Sequence, residues 1–207
     1  MIELLKKELV EISRRLDEKN YVQAAGGNIS VRVPGKELLL IKRTGVTMAG
    51  CSIGDILVVD FDGRVVEGWG KPSKEINFHA GILKSRGDIG AVVHTHSNYA
   101  VAISNLGAEL PMASETALMY LKHVPLVKRA VPGSEQLAQN VITVFAEDKS
   151  KNIKAVLMEA HGVCATGATL QEAYEIADLV EGTAHQAYIQ ATAAPFADFI
   201  CSYNKEP

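Results

Sequence analysis

Cysteine is scarce in this chain of 207 residues: Cys51, Cys164 and Cys201 are odd in number, far apart and form no CxxC pair. That pattern argues against a disulfide framework and suits reduced thiols in a cytoplasm. No apolar stretch approaches the roughly 20 residues that span a bilayer. Charges within residues 1–8 also break any signal-peptide run. A cytoplasmic location without a membrane partner is the expectation. Positive charge is not in excess either, since 21 basic residues face 24 acidic ones for a formal charge of -3. General binders of phosphate backbones are ordinarily basic, so nucleic acid is not an expected partner. Internal repeats, low-complexity tracts and linkers are missing before the last dozen residues. The balance of 47% hydrophobic and 22% charged residues supplies a core, which excludes a disordered chain. One domain over residues 1–195 is expected. A C-terminal tail over 196–207 follows, either mobile or laid on a neighbouring subunit.

Ile2, Leu5, Leu9, Ile12 and Leu16 recur at spacings of three and four, the mark of an amphipathic helix. After the turn Ala24-Ala25-Gly26-Gly27-Asn28 come short β-rich runs near 29–33, 37–42, 55–60 and 64–67. Asp62-Gly63 between the last two signals a hairpin. Pro72-Ser73-Lys74-Glu75 opens a helix that Gly87 closes, with Ser73 as its N-cap. Further strands are expected near 89–94, 123–127, 154–159 and 162–166, and helices near 97–104, 134–146 and 170–192. Hairpins mixed with strand–helix alternation describe an α/β layered domain with a largely antiparallel or mixed sheet.

The sharpest chemical signal is Ala91-Val92-Val93-His94-Thr95-His96, an apolar strand running into two histidines. Strand side chains alternate faces, so His94 and His96 share a side, roughly 7 Å apart along the chain. Such a pair either binds one metal ion at about 2.0–2.1 Å per imidazole or simply ends a strand in polar groups. Ala155-Val156-Leu157-Met158 leads in the same way into Glu159-Ala160-His161-Gly162, where the glycine permits a tight turn. This third histidine favours the metal. Three neutral imidazoles leave a divalent cation its charge and an open position, which is the arrangement of a catalytic site. His79, four residues after Glu75, reads as helix packing, and His123 as surface. His185, four residues after Glu181, reads as half of an intrahelical pair.

Glu75 is the candidate acid/base. At a helix start the dipole favours its negative charge, which would equally suit a capping role. Ser73 and Lys74 add a hydroxyl, a cation and backbone N–H groups, a setting for an anion such as phosphate. Gly26-Gly27-Asn28 and Thr44-Gly45 offer more N–H groups, an amide and a hydroxyl, although glycine turns also join strands without any ligand.

Taken in order, these residues form a set: Gly-Gly-Asn-Ile-Ser-Val-Arg at 26–32, Thr-Gly at 44–45, Lys-Pro-Ser-Lys-Glu at 71–75, His-Thr-His at 94–96 and His-Gly at 161–162. The set resembles the class II aldolase/adducin family over about residues 5–192, a group that includes L-fuculose-phosphate aldolase and L-ribulose-5-phosphate 4-epimerase. The resemblance implies a central, mostly antiparallel nine-stranded sheet with helices on both faces, assembled as a homotetramer with active sites between subunits. It also implies a divalent metal on His94, His96 and His161, zinc first, with manganese, cobalt or iron as alternatives. Glu75 takes the place of the catalytic acid/base. Asn28, Thr44, Gly45 and Ser73 fall where family aldolases hold the substrate phosphate, with Gly27 and Lys74 beside them.

The implied activity is retro-aldol cleavage of a small phosphorylated ketose through a metal-stabilised enediolate, giving dihydroxyacetone phosphate and an aldehyde. In that chemistry a carboxylate moves the proton at C3 while the anion pocket aligns the bond. Two positions depart from the aldolase pattern. Lys74 stands where a second serine is commoner, and the Ser-Lys-Glu form resembles the branch that decarboxylates 3-oxo-tetronate 4-phosphates. There Lys74 would attract a substrate carboxylate, or else serve as a second phosphate partner. The tyrosine that protonates the leaving alkoxide in fuculose-phosphate aldolase has no counterpart in Ser114-Glu115-Thr116, and none appears before Tyr120. Glu115 is then the candidate substrate-facing acid, or a plain helix-start carboxylate. A sugar-phosphate 4-epimerase and a non-catalytic adducin-like interaction domain complete the readings. The intact histidine set and Glu75 count against the last.

Overall fold

In the computed structural model, which describes residues 1–197, successive strand side chains go to opposite faces of one sheet. Ile29, Val31, Leu40, Ala91 and Val93 enter one buried cluster. Leu39, Ile41 and Val92 enter the other. The strands are β1 (Asn28–Arg32), β2 (Leu38–Lys42), β3 (Ile56–Asp60), β4 (Val65–Glu67), β5 (Ala91–Thr95), β6 (Leu126–Val127), β7 (Ala155–Met158) and β8 (Gly162–Gly167). Their order is β4-β3-β2-β1-β5-β8-β7-β6. Only the β6–β7 pair is parallel; the other pairs are antiparallel.

Helices cover both faces, as expected. The first cluster is closed by α1 (Ile2–Glu18), α3 (Asn98–Asn105), α4 (Glu115–Tyr120) and α6 (Leu170–Ala193). The second is closed by α2 (Ile76–Ser85) and α5 (Glu135–Glu147). No helix among the described residues is long and apolar enough to cross a membrane. The expected tail, 196–207, lies outside the described residues from 198 onward.

Four expectations need correction. The sheet has eight strands rather than nine among the described residues. The nearest approach to another is a single antiparallel bridge between Arg43 and Pro72, which proline cannot extend because it lacks an N–H. The N-cap of α2 is Glu75, not Ser73. Ser73 Oγ instead accepts the Glu75 N–H at 3.3 Å, so the hydroxyl closes a turn before the helix begins. His185 does not pair with Glu181. The Glu181 carboxylate receives the Tyr99 and Ala100 N–H groups at 3.0 and 2.9 Å, answering the unpaired donors at the start of α3. The His185 ring stacks on Tyr99 at 4.0 Å. The fourth correction is His79, whose packing role is joined by a hydrogen-bonding one described below.

Candidate active site

β5 runs antiparallel between β1 and β8, so its C-terminal end meets the N-terminal ends of both neighbours. Asn28 is paired with His94 across one ladder, and Thr95 with Val163 across the other. Three polar strand ends therefore converge at one edge of an apolar sheet. His161 arrives from the β7–β8 turn, where Ala160 holds a φ of +55°. The Ala160 N–H donates to the buried Ser104 hydroxyl at 3.2 Å, and the His161 N–H to the Met158 carbonyl at 3.0 Å. These two bonds clamp the turn that delivers the imidazole.

Ring nitrogens of His94, His96 and His161 lie within 4.8 Å of one another. The His94 Nδ1–H donates to the Val163 carbonyl at 2.8 Å, an assignment that leaves Nε2 with its lone pair. That Nε2 stands 3.0 Å from His96 Nε2. Burial, reinforced by the neighbouring imidazoles, pushes His96 down to about 3, and burial also lowers His94. Neutral rings with converging nitrogens are what a metal needs. Glycine makes the room. A Cβ at Gly162 would stand 2.1 Å from the Thr95 carbonyl and 3.1 Å from atoms of His94 and His96, and one at Gly26 would stand 2.8 Å from His96 Nδ1.

Glu75 faces the same point from the head of α2. Its Oε2 lies 3.3 Å from His94 Nε2 and its Oε1 3.1 Å from His161 Nε2. Asn28 Nδ2 donates to Oε2 at 2.8 Å. Burial opposes ionisation, but His94, His161 and the Asn28 amide outweigh it and hold the carboxyl well below the usual range. Glu75 Oε1 and His161 Nδ1 are nevertheless buried without a hydrogen-bond partner. An anionic oxygen orphaned beside three imidazoles is an environment completed by a cation. The residues present fit a divalent metal.

Above them opens a cavity of about 340 Å³. Residues 25–28, Lys42, Thr44, Gly45, Ser73, Lys74, Pro132 and Gly133 wall it, and Glu75, His96 and His161 also line it. The three anion-friendly segments read separately in the sequence thus share one space with the histidines. The Thr44 N–H is already donated to the Lys71 carbonyl at 2.9 Å, so Thr44 offers its hydroxyl.

Residues 7–188 match the family described as Class II Aldolase and Adducin N-terminal domain. The chain belongs to that family. An L-fuculose phosphate aldolase of Methanococcus maripaludis is 32% identical, over 88% of this chain and 95% of its own. A 3-oxo-tetronate 4-phosphate decarboxylase of Haemophilus influenzae is 31% identical, over 89% of this chain and 87% of its own. A solved L-fuculose 1-phosphate aldolase superposes with a TM-score of 0.83 at 31% identity, covering 93% of this chain and 87% of that one. These two relatives, named for an aldolase and a decarboxylase, differ by one percentage point in identity to the chain, which does not choose between their chemistries.

Against this family background, two site residues escaped the sequence reading and one stands apart. Lys42 is buried, its Nζ donates to the Val46 carbonyl, and burial lowers its pKa. A lysine closing an apolar strand two residues before Thr44 was the available signal. His79 is fully buried, with Nδ1 2.7 Å from Ser30 Oγ and Nε2 against Asn28 Oδ1. Glu115 is exposed in the first turn of α4 and does not line the cavity of its own chain.

Proposed function

We propose that the chain is a metal-dependent lyase that cleaves a small phosphorylated ketose by retro-aldol chemistry, yielding dihydroxyacetone phosphate and an aldehyde. The observation that carries this reading is Glu75, a buried, ionised carboxylate with one oxygen unpaired, set against three converging imidazoles at a cavity wall. His94, His96 and His161 would hold the ion; an all-imidazole set suits zinc, and manganese, cobalt or iron can use the same donors. Bound there, the ion supplies Lewis acidity to substrate oxygens while the carbon–carbon bond breaks.

The chain's own groups do the rest. In cleavage Glu75 delivers to C3 the proton that replaces the broken bond to C4, and in the reverse direction it removes that proton. The Thr44 and Ser73 hydroxyls with Gly27 and Gly45, and Asn28 at their base, hold the phosphate so that the reacting bond is aligned. Lys74 adds a compact positive charge at the rim. Glu115, exposed on its own chain, would take the C4 hydroxyl proton as the aldehyde departs in the cavity of a neighbouring subunit, and return it in the reverse, condensation direction. That role belongs to a homotetramer with sites between subunits, the assembly we propose. A cytoplasmic setting accords with three scattered thiols.

Lys74 supports a second reading, decarboxylation of a 3-oxo-tetronate 4-phosphate, with the ammonium meeting the substrate carboxylate. Metal analysis of the purified protein, then parallel assays of dihydroxyacetone phosphate release, decides. L-fuculose 1-phosphate, 5-deoxy-D-ribulose 1-phosphate and 3-oxo-tetronate 4-phosphate are offered side by side. Release in step with an aldehyde is the expected result. Release only from the oxo-acid, with carbon dioxide, selects the second reading, and Lys74→Ser then slows that substrate selectively. Protein that binds no metal overturns both.

A further inference from the structure

His79 lies outside the cavity walls, yet it is fully buried directly behind Glu75. Four side chains there form two facing pairs. Glu75 and His79 are four residues apart at the head of α2 and share a helix face. Asn28 and Ser30 are two residues apart on β1 and share a sheet face. Laid together they make one chain of hydrogen bonds. Ser30 Oγ lies 2.7 Å from His79 Nδ1, His79 Nε2 meets Asn28 Oδ1, and Asn28 Nδ2 donates to Glu75 Oε2 at 2.8 Å.

The direction of this chain follows from chemistry. An ionised carboxylate only accepts, so Asn28 must turn its NH2 toward Glu75 and its oxygen toward His79. An amide oxygen also only accepts, so His79 carries its proton on Nε2 and receives the Ser30 hydroxyl on Nδ1. Turning the amide over would set its oxygen against the buried carboxylate, a repulsive contact that no change of His79 tautomer relieves.

We propose that His79 is a positioning residue for the reaction. By holding the Asn28 oxygen it keeps the Asn28 nitrogen on Glu75, and so fixes where the carboxylate stands between His94 and His161. This rests on the reading of Glu75 as the acid/base. His79 touches neither substrate nor metal; it acts through Asn28.

The test compares His79→Leu, which fills space without hydrogen bonds, with His79→Gln, whose amide can donate to Asn28 and accept from Ser30. Turnover is measured on whichever of the three phosphates above the wild type cleaves. His79→Leu is expected to lower kcat about 10-fold or more with KM changed by no more than about twofold, and His79→Gln to recover most of the loss. In an Asn28→Ala background, His79→Leu should have no further effect, because the two residues act in series. A second readout needs no turnover. The visible absorption of the cobalt-loaded protein should shift in His79→Leu and not in His79→Gln, because the displaced carboxylate adjoins two of the three histidines.

Wild-type kcat with an unchanged cobalt spectrum in His79→Leu overturns the proposal, as do additive losses in the double variant. If the leucine variant does not fold, Asn28→Ala carries the test: it must lower kcat and shift the spectrum, and failing both refutes the relay. Glu75→Gln separates the two levels. Near-wild-type kcat in that variant ends the acid/base reading itself, whereas a slow Glu75→Gln beside an unimpaired His79→Leu ends only the positioning role.

Discussion

The two faces of the sheet are built to different rules. Toward α1 and α6, β1 and β5 send Ile29, Val31, Ala91 and Val93, with the Thr95 hydroxyl at the strand end paired to Ser97. Toward α2 the same two strands send Asn28, Ser30 and His94 around Val92, all of them buried. Burying those polar groups costs stability unless each finds a partner. Most do, in the chain from Ser30 to Glu75. Glu75 Oε1 does not, and it sits where the imidazoles converge, 3.1 Å from His161 Nε2. One face is a brace; the other holds an unfinished polar inlay that a cation would complete.

Histidine replacement breaks the comparison most severely. His94→Ala, His96→Ala or His161→Ala should remove stoichiometric metal and abolish turnover while leaving the brace, and hence the folded chain, intact. Metal analysis beside circular dichroism checks this, and stoichiometric metal retained in all three variants would refute the ligand assignment. A cut in the brace should do the reverse. Leu16 is fully buried under α6's side of the sheet, and Leu16→Ala should cost about 2–5 kcal/mol in urea unfolding. Turnover per folded molecule should stay at the wild-type value. A fall in kcat below the unfolding transition would show that the faces are coupled.

How far each face could be read in advance follows from where its partners lie. The three histidines were legible because each closes an apolar strand run, a pattern local in sequence. The brace was legible from the three-and-four spacing of Leu9, Ile12 and Leu16. The helix that carries Glu75 was legible, but its N-cap moves two positions, from Ser73 to Glu75, because the Ser73 hydroxyl closes the preceding turn. His79 was half-read. A histidine beside Phe78, four residues after Glu75, looks like packing, and its real partners lie 49 and 51 residues away on β1. Glu181 was misread for the same reason, since the donors that claim it are about eighty residues distant on α3. Helix α4 has only six residues, too few for any periodicity to register, whereas the two-residue β6 falls inside the strand expected near 123–127. The ninth strand came with the family resemblance, and the sheet of the described residues has eight.

Acid should strain the inlay before the brace. Burial holds His79 at about 3 against an ordinary 6.5. Between those values the unfolded chain binds the proton and the folded chain does not, so stability falls as pH drops through 6.5 toward 3. Glu75 adds to the same trend, because its lowered pKa contributes stability that is complete above the ordinary carboxylate value and lost below it. Metal-free protein should therefore lose about 2 kcal/mol on account of His79 between pH 7 and pH 5. Urea unfolding at the two pH values measures the loss, and His79→Gln should shrink it by that amount. An unchanged difference in the variant would assign the acid sensitivity to other groups.

The smallest effect is expected at the seam where β7, part of the brace and the inlay alike, hands over to His161. Ala160 is exposed and left-handed, with a φ of +55°. That conformation costs an alanine about 1–2 kcal/mol. Glycine removes the strain but returns roughly 0.5–1 kcal/mol as added freedom of the unfolded chain. Ala160→Gly should then raise stability by about 0.5–1 kcal/mol. The bonds from Ala160 to Ser104 and from His161 to Met158 involve backbone N–H groups that glycine keeps. The imidazole should stay in place, and cobalt affinity should change by no more than about twofold if those bonds alone hold the turn. Stability and affinity moving in opposite directions would mean that the alanine's restriction serves the metal site, and that strain at the seam is part of how the brace presents the inlay.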